Sequence, residues 1–202
     1  MLRKKIYALC DYQTLEKFDI SLNSFLEICK KYDTVYIQYR DKINSLETQK
    51  QNIIFLKQNT NIPIIINDKV ELLEFADGIH LGQEDITALI SKDKAITLKV
   101  LRKKNLNKII GLSTHNEIEI LEANNLDLDY IGLGSYRATN TKDVSTIIGD
   151  NISYLAQISK HPVGIIGGVE LDDDIKYVSY NVIGSGLFAQ TKFLSKKLSS
   201  CL

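Results

Sequence analysis

The sequence predicts a single-domain α/β fold, a closed (β/α)8 or TIM barrel over residues 1–202. Three observations predict it: eight short apolar runs recur along the chain, helix-like stretches separate them, and polar or glycine residues gather where the runs end. Several runs are nearly continuous Ile, Val and Leu, the pattern of strands covered on both faces in a parallel sheet. Strand–helix alternation implies crossover connections between parallel strands. Eight strand candidates fit a closed barrel better than a small open sheet. The chain is short for such a barrel, so its helices and loops must be trimmed.

In order, the runs are residues 5–11 (KIYALCD), 34–40 (TVYIQYR), 62–68 (IPIIIND) and 77–82 (DGIHLG). They continue with 108–115 (KIIGLSTH), 129–135 (DYIGLGS), 162–168 (PVGIIGG) and 181–186 (NVIGSG). Between them lie amphipathic stretches. In NEIEILEANN, Ile118, Leu121 and Ala123 are expected to turn to the sheet while Glu117, Glu119 and Glu122 face water. In NISYLAQISKH the inward set is Ile152, Leu155, Ala156 and Ile158. Residues 85–107 read least clearly, as a helix plus an irregular connection, with ITLKV open to being mistaken for an extra strand.

Composition excludes several classes. Lys plus Arg equals Asp plus Glu, 25 each, which argues against a general nucleic-acid or acidic-membrane binder. No apolar run approaches the roughly 20 residues that cross a bilayer. The N-terminal apolar stretch is too short for a signal peptide and reads as a first strand. Cys10, Cys29 and Cys201 lie far apart without metal-like spacing, so reduced thiols in a cytoplasmic protein are expected, with no role for any of them.

The ends of the strands carry the chemistry, because in a barrel they form the active face. Gln38, Arg40 and Lys42 alternate at the second strand and are expected to project to one side. Asn67 and Asp68 end the third strand. His80 lies on the fourth, which runs into Gly82 and Asp85. Ser113 and His115 end the fifth. Thr139, Thr141 and Lys142 follow the sixth. Asp68 and Asp85 form a carboxylate pair able to hold Mg²⁺ with several waters, a pyrophosphate completing its shell. Arg40, Lys42 and Lys142 would neutralise the remaining charge. Each aspartate also has a purely structural reading, Asp68 as a turn residue or helix cap and Asp85 as an N-cap before ITALI. Glycines after the last two strands, Gly167-Gly168 and Gly184-Ser185-Gly186, let backbone N–H groups approach a phosphomonoester. The stretch LFAQTKF would supply a short helix there.

These segments, in this order and over almost the full length, resemble the thiamine-phosphate synthase family of the synthase/thiazole-tautomerase superfamily. The closest match is PIIINDKVELLEFADGIHLGQED, with its ADGIHLGQED signature; IQYRDK, IIGLSTHN, DYIGLGSYRATNTK and GIIGGV accompany it. The resemblance implies a cytoplasmic Mg²⁺-dependent transferase. Its expected substrates are a pyrimidine diphosphate and a thiazole phosphate, and a homodimer is a family-level expectation. It implies Asp68 and Asp85 at the metal, and Arg40, Lys42, Asn67 and Lys142 at the diphosphate. Gln38 and His80 would contact the aminopyrimidine, and Ser113 would hydrogen-bond the leaving pyrophosphate or help at the reacting centre, counting with Lys142 and Arg40 as catalytic. Thr139, Thr141, Gly168 and Ser185 would place the thiazole phosphate, with Gly186 beside them. The loop SYRATNTK keeps both threonines and the lysine but lacks the family's prolines. GLGSYR stands for a GPVF-like run, and Ser185-Gly186 for a Ser-Ala pair.

Two other readings compete. A thiazole tautomerase would use His115 as acid and base, and a non-catalytic paralogue would only bind phosphorylated ligands. Retention of Gln38, Arg40, Lys42, Asp68, Asp85 and Lys142 favours the synthase. His80 has the alternative of a satisfied barrel histidine, and His161, before a proline, is expected to be exposed. The chemistry asks mainly for leaving-group neutralisation and positioning. Purified Lys142→Ala is therefore expected to lose turnover by orders of magnitude while its circular dichroism stays that of the parent; near-normal turnover would count against the assignment.

Overall fold

The computed structural model describes residues 4–138 and 147–188. Eight parallel strands close into a barrel in sequence order. They are β1 (Lys5–Asp11), β2 (Tyr36–Arg40), β3 (Ile64–Asn67), β4 (Gly78–Leu81), β5 (Ile109–Thr114), β6 (Tyr130–Leu133), β7 (Val163–Ile165) and β8 (Tyr180–Ile183). Tyr7 pairs with Tyr36 on one side and Val182 on the other, which seals the ring. All C-terminal strand ends therefore share one rim. No described helix is long and apolar enough to cross a membrane.

Helices α1 (Tyr12–Phe18), α2 (Leu22–Lys31), α3 (Leu46–Asn59), α4 (Gln83–Leu89), α5 (Lys94–Lys104), α6 (Glu117–Ala123) and α7 (Ile152–Gln157) lie in the crossovers. Their starts are legible in the sequence. Asp11, Ser21, Ser45, Asp93 and Asn116 each accept a hydrogen bond from a backbone N–H in the first turn, which satisfies one of the orphan donors there.

ITLKV lies inside α5, as a helix in residues 85–107 requires, and Thr97, Leu98 and Leu101 are buried there. Other expectations need correction. The buried face of α6 is Ile120 and Ala123, whereas Ile118 is 72% and Leu121 49% exposed. Residues three apart share a helix face, so Ile118 with Leu121 and Ile120 with Ala123 lie on different faces and only one pair can turn inward. Helix–strand alternation also breaks twice. β3 and β4 are joined by a 3-10 segment, Val70–Phe75. Between β7 and β8 no helix forms; Val169, Ile175 and Val178 are buried there from an irregular chain. Asn181 supports that segment, its Nδ2 donating to the carbonyls of Glu170 and Asp173.

The core has two layers, as strand alternation requires. Outward side chains such as Ile6, Ala8, Ile64, Ile66, Ile79 and Ile110 pack against the helices in one large cluster. Inside the barrel a separate cluster holds Tyr7, Leu9, Ile65, Tyr130 and Val182, flanked by Tyr36, Ile109, Ile166 and Tyr180. The four tyrosine rings lie 5.5–6.4 Å apart. They fit because inward positions on neighbouring strands are glycine. A Cβ on Gly111 would overlap the Tyr130 ring, and one on Gly132 would press on the His80 ring. Gly111→Ala is expected to cost about 1–3 kcal/mol by overpacking, read as a lower urea midpoint; an unchanged midpoint would show that the interior yields.

Candidate active site

The parallel register sets the ends of neighbouring strands side by side. Asp11 pairs with Arg40, Asn67 with His80, and Ser113 with Gly132. The expected site residues fall into three groups around the rim.

The first group spans β3, β4 and β5. Asp68 follows β3 in a left-handed conformation, φ 62°, one that Asp and Asn tolerate better than most residues. Its N–H donates to the His80 carbonyl at 3.0 Å. Its Oδ1 accepts from the Gly82 N–H at 3.2 Å, and its Oδ2 accepts from Asn67 Nδ2. Asp85 lies in the first turn of α4, whose N-cap is Gly82. Asp85 is thus not an N-cap, and Asp68 does not cap the following segment, which starts after Lys69 without a side-chain cap. The Asp85 carboxylate lies over the open face of Gly82, with Asp68 Oδ1 also close by. Burial, and then the negative charge of Asp85, raise the Asp68 pKa above the ordinary carboxylate value; the Gly82 and Asn67 hydrogen bonds only partly offset this.

Beside this pair, His80 Nε2 is 2.9 Å from Ser113 Oγ and His80 Nδ1 is 2.9 Å from the Tyr130 hydroxyl. Gln83 Nε2 donates to the Ser113 carbonyl at 2.6 Å. His80 and Gln38 are buried, and Gln38 reaches the same cluster by donating to the Tyr7 hydroxyl at 3.2 Å. Tyr7 is in turn 2.8 Å from the Tyr130 hydroxyl.

The second group is Arg40 at the mouth between β1 and β2. Its guanidinium is ion-paired to the buried carboxylate of Asp11. That carboxylate also accepts from Thr14 N at 3.0 Å and Thr14 Oγ1 at 2.6 Å. Lys42 does not share a strand face with Gln38 and Arg40, because β2 ends at Arg40; Lys42 is exposed in the loop beyond.

The third group follows β7 and β8. Gly167 and Gly168 have φ of 94° and 59°, so only glycine is unstrained at this turn. Gly168 and Gly186 are exposed and Ser185 is half-buried. Residues 186–188 are helical. Arg137 fastens this turn: Nη1 donates to the Gly168 carbonyl at 2.9 Å, and both terminal nitrogens bind the Asp173 carboxylate at 2.7 Å. Thr139, Thr141 and Lys142 lie outside the described residues, as does Cys201.

Of the remaining expectations, His115 is half exposed and its Nδ1 lies 2.9 Å from Glu119 Oε2. His161 is half-buried rather than exposed, with Nε2 2.9 Å from the Ala123 carbonyl oxygen. Cys10 and Cys29 are buried free thiols, and burial pushes Cys29 up to about 12. Among the described residues no three His, Cys, Asp or Glu side chains form a metal cluster. Sequence reasoning missed Tyr7, Tyr130, Asp11 and Arg137. Tyr130 was signalled only by an inward strand parity opposite Gly111, Tyr7 by inward parity alone, and Asp11 by its place at the end of a strand next to that of Arg40.

Polar and charged side chains around the C-terminal mouth of a closed α/β barrel define a barrel enzyme. Comparison with known proteins names its kind. The sequence pattern of the family described as thiamine monophosphate synthase matches residues 6–184, and the chain belongs to that family. It is 34% identical to the thiamine-phosphate synthase of Persephonella marina, over 81% of this chain and 76% of the relative. It is 30% identical to that of Clostridium acetobutylicum, over 95% and 90%. Thiamine phosphate pyrophosphorylase from Pyrococcus furiosus superposes with a TM-score of 0.66 at 21% identity, covering 98% of this chain and 96% of that one. A tryptophan synthase alpha-subunit mutant from the same organism also reaches 0.66, at 13% identity over 98% of both chains. At these identities the two superpositions show the fold alone.

The raised Asp68 pKa has a consequence for stability. The folded protein keeps a proton that the unfolded chain loses near 3.8. The associated stabilisation is complete below that value and is lost as pH rises through the folded-state pKa. At neutral pH the paired carboxylates therefore repel. Asp68→Asn, which also suits the left-handed backbone, is expected to raise the metal-free Tm at pH 7 by a few degrees, about 2–4 °C per kcal/mol. The gain should shrink as pH falls toward 4. Equal melting temperatures at pH 7 would contradict the repulsion.

Proposed function

We propose that the chain condenses a hydroxymethylpyrimidine diphosphate with a thiazole phosphate, forming thiamine phosphate and releasing pyrophosphate. The observation that carries this reading is the convergence of Asp68 and Asp85, from two different strand ends, beside Asn67, His80 and Ser113. A half-buried carboxylate, Asp68, held at hydrogen-bonding range of a second, exposed one, Asp85, calls for a cation. Hard carboxylate oxygens in a pair, rather than a closed cage of ligands, fit Mg²⁺, which keeps several waters and accepts phosphate oxygens. Asp68 and Asp85 would hold it, with the Asn67 amide bracing Asp68. Bound there, Mg²⁺ supplies positive charge against the oxygens of the departing diphosphate.

The chain's own groups do the rest. The Ser113 hydroxyl and the Lys142 ammonium hydrogen-bond the leaving diphosphate as charge develops on it. Lys42 and Arg40 add positive potential at the mouth. Because Asp11 already neutralises Arg40 in part, Arg40 acts as an anchored, oriented cation rather than a free one. Gln38 and His80 hold the aminopyrimidine in the plane that lets its ring electrons stabilise cationic character at the reacting carbon. Gly168, Ser185 and Gly186, with Thr139 and Thr141, fix the thiazole phosphate, so the ring nitrogen meets that carbon already oriented. No protein nucleophile or strong base is needed.

The half-exposed, Glu119-paired His115 lies outside the buried cluster, and nothing in this geometry favours proton transfer on a thiazole as the main activity. Purified protein, both phosphorylated substrates and Mg²⁺ should yield thiamine phosphate. Chelation with EDTA should stop turnover and added Mg²⁺ should restore it, whereas Asp85→Asn should stay inactive at the same Mg²⁺ concentration. Isomerisation of the thiazole alone, or binding without conversion, would overturn the reading.

A further inference from the structure

The barrel interior carries a continuous chain of polar groups, Gln38–Tyr7–Tyr130–His80–Ser113, buried except at its half-buried Ser113 end and crossing from β2 through β1, β6 and β4 to β5. Every link is 2.8–3.2 Å. The site uses the two ends of this chain, Gln38 at one and His80 with Ser113 at the other, and hydrophobic side chains would fill the interior between them. We propose that Tyr130 is a positioning residue that acts through His80: the chain imposes one proton order, which makes Ser113 a hydrogen-bond donor toward the leaving diphosphate. This inference rests on the synthase reading for the identity of that ligand.

The order follows from counting donors. The amide nitrogen of Gln38 donates to the Tyr7 oxygen, so the Tyr7 proton turns to its other partner, the Tyr130 oxygen. The Tyr130 proton then goes to Nδ1 of His80. A neutral imidazole that accepts at Nδ1 carries its hydrogen on Nε2 and donates it to Ser113 Oγ. Among the described residues the Ser113 hydroxyl proton has no further acceptor, so it is left for a ligand. Reversing the order would set the Tyr7 proton against the Gln38 amide, donor facing donor, in a dry interior where an unmade bond is costly. Burial keeps both tyrosines protonated, since it raises their pKa values far above neutrality.

Packing shows that the arrangement is built in. The His80 and Tyr130 rings stack at 5.5 Å and 26°. Gly111 vacates the volume that the Tyr130 ring and hydroxyl fill, and Gly132 the volume against the edge of His80. Tyr180 packs against the Tyr130 ring at 6.4 Å and against Tyr36 at 5.5 Å, but its hydroxyl is not a link in the chain.

Three histidines make the ring of His80 assignable by ¹⁵N NMR. The wild-type protein is expected to show His80 with its hydrogen on Nε2 near neutral pH. An Nδ1–H ring there would overturn the proposal without any variant. Tyr130→Phe keeps the ring and removes one link. It is expected to give a mixed or Nδ1–H ring and to lower kcat about 10- to 100-fold, with the KM for the thiazole phosphate unchanged. Tyr180→Phe should alter neither readout. A Tyr130→Phe protein that keeps both tautomer and kcat would overturn the proposal, and so would an equal loss in Tyr180→Phe. If wild-type protein forms no thiamine phosphate, the synthase reading fails, while the tautomer measurement still decides the proton order.

Discussion

An eight-stranded barrel is just wide enough for its inward side chains to fill it, and in this protein that filling is made largely of tyrosine. Each ring brings apolar area into the interior together with a hydroxyl that must be hydrogen-bonded. A core of branched aliphatic residues would end beneath the rim without touching the chemistry. Here the hydroxyls of Tyr7 and Tyr130 are satisfied by each other and by Gln38 and His80, which lie at the level of the site. Packing of the barrel and orientation of its polar rim therefore become one problem. The inward glycines on β5 and β6 belong to the same solution, since the rings occupy the space their side chains would take.

The rim is electrostatically uneven. Between β1 and β2, Arg40 and Asp11 cancel. After β6 and β7, Arg137 and Asp173 do the same with a two-point contact. Beyond β3 and β4, by contrast, two like charges are forced together, where Asp68 is partly buried next to Asp85. Neutral pairs rigidify the mouth, whereas an uncompensated pair attracts a cation. Such local instability is the usual cost of a preformed binding site, and the surrounding packed strands hold it in place.

Economy of length shapes the rest. With two crossovers lacking an α-helix, the chain covers strands with a 3-10 segment and with an irregular stretch. The irregular stretch works because its backbone is bonded. Asn181 supplies donors to two carbonyls, and Arg137 and Asp173 lock the turn that contains Gly168. The glycine turn after β7 is thereby braced from both flanks, although no helix stands directly behind it.

The barrel and its strand order were legible in the sequence, because eight nearly continuous apolar runs and the helix-like stretches between them are local properties that survive without coordinates. Asp68, His80, Asp85 and Ser113 could be picked out for the same reason: each stands at or just past the end of a strand, and parallel closure brings such ends to one rim. Helix phase in α6 was misjudged because its four apolar residues in seven, Ile118, Ile120, Leu121 and Ala123, can be placed on more than one face. Partnerships were out of reach altogether. That Arg40 meets Asp11, that Asp68 and Asp85 repel across Gly82, and that Tyr7, Tyr130 and His80 join hands inside the barrel depend on register and on inward rotamers. Those are fixed only when all eight strands close, since the partners lie up to 123 residues apart along the chain.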